Sequence, residues 1–297
     1  MYNIGNTPLV RARELERALN TKGEIYLKLE MHNPAGSSKD RAVYYMLSQM
    51  EKKGEIKKGA TVAESTSGNT GIALAFLAPL MGYKAAVVMP DSMSEERRKI
   101  IKDYGALLIL TPGKSGVSAS LQAAQELVKE GGVMLGQFDN PDNIMAHYTA
   151  TGPEILSQLP DIDCFVAAFG TGGTVSGVGR FLKENKKSAR VCAVEPEESP
   201  LVTKGYSAPH GIQGIGADFL PRNFKREYVD TVLTANTEEA YRMCRLLCSC
   251  EGICAGISSG AALSAAAALA REEKGKFAVL LPDGGERYIS TGLFDGM

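Results

Sequence analysis

Short apolar runs alternate with longer amphipathic segments along almost the whole chain. The runs are rich in aliphatic side chains, which is typical of strands buried on both faces of a sheet. The predicted strands are residues 25–30, 61–65, 84–89, 107–110, 164–169, 190–195 and 277–281. The predicted helices are residues 71–81, 94–104, 118–130, 175–185, 237–250 and 259–273, with one more that begins near Ser38. Helices that separate buried strands predict an α/β protein with mostly parallel sheets and short crossovers.

The length of the chain and the order of its elements favour two domains. A chain of 297 residues can form one large or two medium domains. We expect an N-terminal α/β domain at residues 1–145 and a C-terminal α/β domain at residues 146–297. Each is expected to have helices on both faces of a mostly parallel sheet, in three layers. Such a division predicts a cleft between the domains, where we expect the active site.

The charge and hydropathy of the chain exclude several classes of partner. The net charge is −1, and the sequence has no basic block or acidic tail. This argues against a nucleic-acid partner and against a polybasic membrane-binding patch. No apolar run reaches the ~18 residues that a transmembrane helix needs. The first residues lack the apolar core of a signal peptide, so we expect a cytoplasmic protein.

Four of the six cysteines fall within residues 244–254. This segment has no CxxC pair and no nearby histidine, which argues against a metal site. Cys244 and Cys248 lie four residues apart on one face of a predicted helix, where they would pack as small apolar side chains. In a reducing cytoplasm we expect no disulfide. A redox or metal-binding role for the segment is the alternative.

The segment at residues 33–41, Asn-Pro-Ala-Gly-Ser-Ser-Lys-Asp-Arg, places a lysine in the first turn of a predicted helix. Its proline and glycine favour a turn, and its two serines are good N-cap residues. The positive end of the helix dipole favours the neutral amine of Lys39. A neutral amine is the form that reacts with a carbonyl group to make a Schiff base. The alternative is a surface lysine in a helix cap.

A glycine-rich turn follows the predicted strand at residues 164–169 and opens the next helix. It reads Gly170-Thr171-Gly172-Gly173-Thr174. Glycines allow the backbone to approach an anion, and the free N–H groups of a helix N-terminus favour a phosphate. The turn lacks the Gly-Lys-Ser/Thr of a P-loop and the Gly-x-Gly-x-x-Gly of a dinucleotide site. The alternative is a tight turn with no ligand.

A second polar turn, at residues 65–71, has the same setting between a strand and a helix. It presents the hydroxyls of Thr66, Ser67 and Thr70 and the amide of Asn69 at a helix N-terminus. This combination suits a carboxylate. N-capping is the alternative, although a cap needs only one of these hydroxyls.

Together with the Gly-Ile-Ser-Ser-Gly segment at residues 256–260, these motifs resemble the fold-type II pyridoxal-phosphate enzymes. Specifically, the chain resembles the cysteine synthase and cystathionine β-synthase family, from residue 4 to residue 291. Residues 137–143 and 147–155 look most like the B-type cysteine synthases. Residues 211–216 look more like the A-type enzymes or the cystathionine β-synthases.

The resemblance implies pyridoxal 5′-phosphate as the cofactor and Lys39 as the lysine that binds it covalently. It implies that residues 170–174 bind the cofactor phosphate and that Asn69 contacts the 3′-oxygen. The residues implied to hold the carboxylate of the amino-acid substrate are Thr66, Ser67, Thr70 and Gln137. The resemblance also implies that the first ~35 residues cross over to the second sheet. We expect a homodimer without a metal ion.

Two assignments within the resemblance have alternatives. In B-type enzymes a serine of the Gly-Ile-Ser-Ser-Gly segment faces the pyridine nitrogen, and here it would be Ser258. Asp283 is the other candidate for that contact. Asp218 lies in a segment that reaches the mouth of the active site in the family, where a carboxylate would serve as a general base. The alternative for Asp218 is an Asx turn in a glycine-rich loop.

The implied reaction is β-replacement on an O-activated serine, most simply O-acetylserine plus sulfide giving L-cysteine plus acetate. This would make the protein a transferase. A runner-up is a reaction that consumes cysteine or serine, forming cystathionine, lanthionine or serine with release of hydrogen sulfide, which includes lyase chemistry. A third possibility is a catalytically silent cofactor-binding regulator, but the intact Lys39 argues against it.

Overall fold

The fold consists of two sheets surrounded by helices, as described by a computed structural model. The description covers residues 2–66, 68–295 and 297, without the side chains of residues 115–117. The strands are β1 (Leu9–Arg11), β2 (Glu24–Leu29), β3 (Thr61–Ser65), β4 (Lys84–Pro90), β5 (Leu107–Thr111), β6 (Val133–Met134), β7 (Cys164–Ala168), β8 (Arg190–Pro196), β9 (Thr231–Ala235) and β10 (Lys276–Leu281). The helices are α1 (Arg13–Leu19), α2 (Lys39–Lys52), α3 (Asn69–Leu80), α4 (Glu95–Asp103), α5 (Gly116–Lys129), α6 (Asp142–Ala146), α7 (Gly152–Gln158), α8 (Gly173–Asn185), α9 (Leu201–Lys204), α10 (Thr237–Glu251) and α11 (Ile257–Glu272).

The two sheets are almost entirely parallel. One has six strands in the order β1-β2-β10-β7-β8-β9, and the other has four in the order β5-β4-β3-β6. Among the described strands, only β1 is antiparallel to its neighbour. The early strand β2 pairs with the last strand, β10, with Leu27 opposite Val279. The N-terminal segment therefore crosses over to the sheet that the C-terminal half of the chain builds.

The alternating direction of the side chains along β10 shows why the six-stranded sheet has helices on both faces. Phe277, Val279 and Leu281 pack in one apolar core with residues of α1, α10 and α11. Ala278 and Leu280 point the other way, into a second core with residues of α7 and α8. Both faces are apolar because neither is exposed to water, as expected for a parallel sheet. The α/β class and its three-layer arrangement follow directly from this pattern.

Most predicted elements are confirmed to within two residues at each end. Pro79 lies in the last turn of α3, and the helix ends one residue later, as predicted for a proline that blocks further turns. The short elements β1, β6, β9, α1, α6, α7 and α9 were not predicted. They have two to seven residues each, which is too few to display a clear hydrophobic period.

The expectation that no cysteine would be paired is wrong. Cys248 and Cys254 form a disulfide, with their Cα atoms 4.5 Å apart. The reason is the end of α10, where Gly252 adopts a left-handed conformation with φ 68°. This residue reverses the chain and brings Cys254 back beside Cys248. Cys244 is buried, as expected for a small apolar side chain.

A network of buried charges fastens the start of α2 to the six-stranded sheet. The side chains of Arg41 and Lys28 are 2% and 0% exposed. Arg41 makes paired hydrogen bonds with Glu30 and with Glu154, at 2.7–2.8 Å. Lys28 donates to Glu154 at 2.8 Å. Burial raises the pKa of Glu154, but the bonds from Arg41 and Lys28 outweigh it and lower that pKa to about 2.

A second buried carboxyl group, that of Glu64, lies near the end of β3. Its Oε2 accepts the backbone N–H of Gln137 at 3.0 Å. Its Oε1 has no hydrogen-bond partner within the part of the chain that the structure describes. Burial raises the pKa of Glu64 to about 8, although hydrogen bonds from the backbone, that of Gln137 first among them, oppose the shift. Glu64 is thus predominantly protonated at neutral pH.

None of the helices in the described ranges is both long and apolar enough to cross a membrane.

We predict that Arg41→Met lowers the free energy of unfolding by about 3–5 kcal/mol. The substitution removes one cation and leaves the buried Glu30 carboxylate without its ion-pair partner. Urea denaturation followed by circular dichroism measures the change. Arg17→Met is the control, because Arg17 forms an exposed pair with Glu14 and should change stability by less than about 1 kcal/mol. Equal effects of the two substitutions would contradict a stabilising role for the network.

We predict that Glu64→Gln changes the pH dependence of stability. Between pH 4.5, the ordinary pKa of Glu, and about 8, the folded chain holds a proton that the unfolded chain has lost. The wild type should therefore lose stability as pH rises through this range. Gln keeps an oxygen that can accept the Gln137 N–H but does not titrate. Between pH 5 and pH 8.5, the difference in free energy of unfolding between the variant and the wild type should therefore change by roughly 3–5 kcal/mol in favour of the variant. Parallel stability profiles across this pH range would contradict the assignment.

Candidate active site

Lys39 is the first residue of α2 and follows a turn that is fastened to the end of β10. Gly36 supports this turn with a φ of 80°. The N–H of Ser38 donates to the carbonyl of Pro282 at 2.9 Å, and Ser37 pairs with Asp283 in an isolated β-bridge. Across the described residues, no hydrogen bond or ion pair engages the Lys39 amine. Burial lowers the pKa of Lys39, with the charge of Asp283 opposing the shift. The amine is therefore disposed to be neutral and available.

The segment after β10 forms a polar cluster around Asn69. The buried Oδ2 of Asp283 accepts hydrogen bonds from Asn69 Nδ2 and from the Tyr288 hydroxyl, both at 2.7 Å. Arg97 lies 3.5 Å from the same oxygen and stacks on the Tyr288 ring at 4.7 Å. Arg287 donates to the other end of Asn69, its Oδ1, at 2.6 Å. The cluster fixes the position and orientation of the Asn69 amide.

Sequence reasoning missed three members of this cluster: Arg97, Arg287 and Tyr288. For Arg287 and Tyr288 the available signal was a polar segment directly after the last parallel strand, since ligands of α/β proteins bind at the carboxyl ends of strands. Arg97, in α4, had no such signal. The bond between Asn69 and Asp283 joins residues 214 positions apart, and such a pairing has no signature in a single sequence.

The turn between β3 and α3 is linked to Gln137. The Thr70 hydroxyl donates to Gln137 Oε1 at 2.5 Å, and Gln137 Nε2 donates to the Ser65 carbonyl at 2.6 Å. Thr66 Oγ1 accepts the N–H of Gly68 at 3.0 Å. The structure thus brings together three of the four residues expected to hold a carboxylate. The fourth, Ser67, lies outside the described residues.

The turn at residues 170–174 joins β7 to α8 and is tightly enclosed. A Cβ atom added to Gly170 would lie 2.4 Å from the Gly214 carbonyl oxygen. One added to Gly172, which has a φ of 82°, would lie 2.5 Å from the backbone of Phe224. The amides of Gly170, Thr171, Gly172 and Thr174 donate no hydrogen bond to any described residue. Unpaired amides at the N-terminus of a helix fit a phosphate group.

Two buried side chains support the threonines of this turn. Asn143 Nδ2 donates to Thr171 Oγ1 at 3.2 Å. His147 Nε2 lies 3.2 Å from Thr174 Oγ1, and its Nδ1 lies 2.9 Å from Thr151 Oγ1. His147 opens a π-helical turn, His147–Thr151, a local distortion that is frequent at functional sites. Burial lowers the pKa of His147 well below its ordinary value, so the ring is neutral at pH 7.

The start of α11 brings Ser258 to the same junction as Asp283. The N–H of Gly256 donates to the Asp283 carbonyl at 3.0 Å, and a Cβ added to Gly256 would lie 2.1 Å from Asp283 Oδ1. Ser258 is buried, and its hydroxyl makes no hydrogen bond with the described residues. Asp283 differs from Ser258, because its Oδ2 already accepts hydrogen bonds from Asn69 and Tyr288.

A cavity of about 840 Å³ lies next to the polar cluster around Asn69 and Asp283. Its walls are residues 91–93 and 112–114 on one side and parts of residues 199–218 on the other. Gln213 lines the cavity and lies 3.5 Å from Arg97, which connects the cavity to the Asp283 cluster. Asp218 is exposed on the cavity wall, where it accepts a hydrogen bond from Ser118 at 2.8 Å. No described group of His, Cys, Asp and Glu side chains is arranged to hold a metal ion.

The site fits pyridoxal phosphate. Among the described residues, it offers an amine without a partner at Lys39 and a glycine turn with unpaired amides for a phosphate. Two buried polar atoms near the lysine, Ser38 Oγ and Asp283 Oδ1, have no hydrogen-bond partner in the described ranges. A polar aromatic cofactor would supply the missing contacts.

Comparisons with known proteins agree with this geometry. A cysteine synthase of Staphylococcus aureus is 46% identical over 296 residues, which is 98% of this chain and 95% of the relative. The solved structure of an O-ureido-L-serine synthase has a TM-score of 0.95 at 41% identity and covers 99% of this chain and 94% of that one. A hydrogen sulfide-producing enzyme from Fusobacterium nucleatum has a TM-score of 0.93 at 41% identity, with 96% and 97% covered. The family model described as "Pyridoxal-phosphate dependent enzyme" matches residues 1–283. The chain therefore belongs to the family of pyridoxal-phosphate-dependent enzymes.

Proposed function

We propose that the protein catalyses β-replacement on an O-activated serine, most simply O-acetylserine plus sulfide giving L-cysteine plus acetate. The observation that carries this proposal is the position of Lys39. Its amine has no partner among the described residues, its pKa is lowered by burial, and its turn is joined to the segment that contacts Asn69. The similarity to a cysteine synthase over nearly the full length supports the choice of substrates.

We assign four parts of the site to the cofactor. Lys39 binds it covalently, and the turn at residues 170–174 holds its phosphate with backbone amides and the hydroxyls of Thr171 and Thr174. Asn69 contacts the 3′-oxygen. Ser258 faces the pyridine nitrogen, because its buried hydroxyl has no other partner among the described residues and can donate to that nitrogen. Asp283 Oδ1, which packs against Gly256, is the alternative. When bound, pyridoxal phosphate stabilises negative charge that develops on the substrate α-carbon.

The remaining residues bind the substrate and move its proton. Thr66, Ser67, Thr70 and Gln137 hold the substrate carboxylate at the N-terminus of α3. The bond between Thr70 and Gln137 then yields to bonds with the carboxylate, which is the stronger acceptor. Lys39, freed when the substrate amine takes its place, accepts the proton from the α-carbon as a neutral amine and returns it at the end of the reaction.

A second candidate function uses water or an organic thiol as the acceptor, with Asp218 as the general base. This reaction would consume cysteine or serine and release hydrogen sulfide or water. The exposed Asp218 carboxylate on the cavity wall favours it, as does the similarity to a hydrogen sulfide-producing enzyme. Hydrosulfide needs little help from a base because it is largely ionised at neutral pH.

We also propose a domain division at residues 145 and 146, a homodimeric state and a cytoplasmic location. Strands β3 to β6 lie in the four-stranded sheet and β7 to β10 in the six-stranded sheet, which supports the division. The homodimer and the location rest on the resemblance to the cysteine synthases.

Steady-state assays test the proposed function. With sulfide as acceptor, O-acetylserine should be the best donor among O-acetylserine, O-phosphoserine, serine and cysteine. Lys39→Ala should lower turnover by about 10²–10⁴-fold, as expected when a proton-transferring group is lost. Turnover of cysteine with water or thiols, and not of O-acetylserine, would favour the second candidate. Cofactor binding without turnover of any donor would indicate a regulator.

Asp218→Asn distinguishes the two acceptors in the same assays. If Asp218 is the base for water or thiols, those reactions should slow by about 10²–10⁴-fold while sulfide addition changes little. An equal loss with every acceptor would instead assign Asp218 a structural role through Ser118.

We predict that Gly172→Ala weakens cofactor binding by about 10-fold or more, which corresponds to ~1.4 kcal/mol. The new Cβ would press on the backbone of Phe224 and displace the phosphate-binding turn. Gly205→Ala is a matched control, because Gly205 has a similar φ of 79° but nothing lies within 4 Å of its added Cβ. Cofactor titration followed by absorbance measures the affinity. If both variants bind the cofactor as the wild type does, the turn does not hold the phosphate.

A further inference from the structure

We propose that Asn143 is a positioning residue that couples the carboxylate-binding turn to the phosphate-binding turn through Gln137. The inference rests on the proposed function, because it assumes that these two turns bind the substrate carboxylate and the cofactor phosphate. Asn143 makes no contact with the substrate in this account. Its role is to make the occupation of one turn favour the occupation of the other.

The side chain of Asn143 bridges two separate parts of the site. It lies in α6 and is 1% exposed. Its Nδ2 donates to the backbone carbonyl of Gln137 at 2.8 Å and to Thr171 Oγ1 at 3.2 Å. Its Oδ1 packs against Gly173, where an added Cβ would lie only 2.1 Å away. One amide group therefore hydrogen bonds both Gln137 and the phosphate-binding turn, and it also packs against that turn at Gly173.

Gln137 transmits this contact because its polar atoms are bonded on every side. Its N–H donates to Glu64, and its carbonyl accepts from Asn143. Its side chain bonds Thr70 through Oε1 and the Ser65 carbonyl through Nε2. A residue restrained at all four groups moves as a unit. A shift of its carbonyl toward or away from Asn143 is therefore accompanied by a shift of the side chain that contacts the carboxylate-binding turn.

Asn223 provides an internal comparison. It is also a buried asparagine, and its Nδ2 donates to the same Gln137 carbonyl at 2.9 Å. Its second hydrogen bond goes to the Asn140 carbonyl at 3.0 Å. Within the described residues its side chain makes no hydrogen bond to residues 170–174. Asn223 thus supports Gln137 without joining it to the phosphate-binding turn, whereas Asn143 does both.

The coupling has a simple thermodynamic form. A carboxylate that takes the place of the Thr70–Gln137 bond contacts both side chains and fixes the position of Gln137 against them, and a phosphate that binds at Thr171 fixes the amide of Asn143. Because both events restrain the same hydrogen-bonded chain, the second ligand meets groups that are already ordered. The effect is reciprocal, so each ligand raises the affinity for the other by the same factor.

The test measures the dissociation constant of pyridoxal phosphate with and without saturating propionate. Propionate carries the carboxylate of an amino acid but has no amine to react with the cofactor, and sodium chloride at equal ionic strength is the reference. In the wild type, propionate should tighten cofactor binding by about 5-fold or more. In Asn143→Ala this factor should fall to about 1, while Asn223→Ala should retain it. An unchanged factor in Asn143→Ala, or an equal loss in Asn223→Ala, would overturn the proposal.

Two further variants keep the test decisive. Asn143→Asp preserves the size of the side chain but removes the N–H donors, so it should also lose the coupling if Asn143→Ala folds poorly. Asn236→Ala removes the side-chain cap of α10, its bond to the Glu239 N–H, and controls for general destabilisation. It should lower the melting temperature and leave the coupling factor intact. No β-replacement occurs in this experiment, so its outcome is independent of whether O-acetylserine is the substrate.

Discussion

The buried charge network around Arg41 is the constraint on which the site depends. Two cations, Lys28 and Arg41, and two anions, Glu30 and Glu154, lie together in the protein interior. Buried charges are tolerated only when each is paired and hydrogen bonded, so the network admits one arrangement of β2, α2 and α7. Lys39 is only two residues from Arg41. The network therefore determines where the reactive amine lies relative to the six-stranded sheet.

Three turns converge on this fixed lysine, each directly after a parallel strand. The turn after β3 offers hydroxyls, the turn after β7 offers unpaired amides, and the segment after β10 contributes Asp283 and its partners. Carboxyl ends of parallel strands are the usual ligand-binding edge of α/β proteins, because loops there lie above the sheet and helix N-termini point toward them. The site thus follows from the topology, and the polar side chains determine which ligand it accepts.

The sequence predicts those features that arise from local physical chemistry. Buried parallel strands are apolar along their whole length, so β3, β4, β7, β8 and β10 were predicted directly. The lysine turn and the glycine turn were predicted because helix caps and close backbone approaches require particular residue types. Contacts between distant segments do not follow from the residues themselves: the pairing of Asn69 with Asp283 was not predicted, and the proximity of Thr70 and Gln137 was expected only from the family resemblance. They depend on the packing of the two sheets, and no spacing within one sequence encodes them. The disulfide was missed for a related reason, since it depends on one glycine that reverses the chain after α10.

Lys39 is the residue to which we propose that the cofactor is joined. Borohydride reduction of the purified protein, followed by proteolysis and mass spectrometry, tests it directly, because reduction makes a lysine–cofactor bond permanent. We expect stoichiometric modification of a single peptide that contains Lys39. Stoichiometric modification of a different lysine, or the absence of any modified peptide from protein that retains the cofactor, would contradict it.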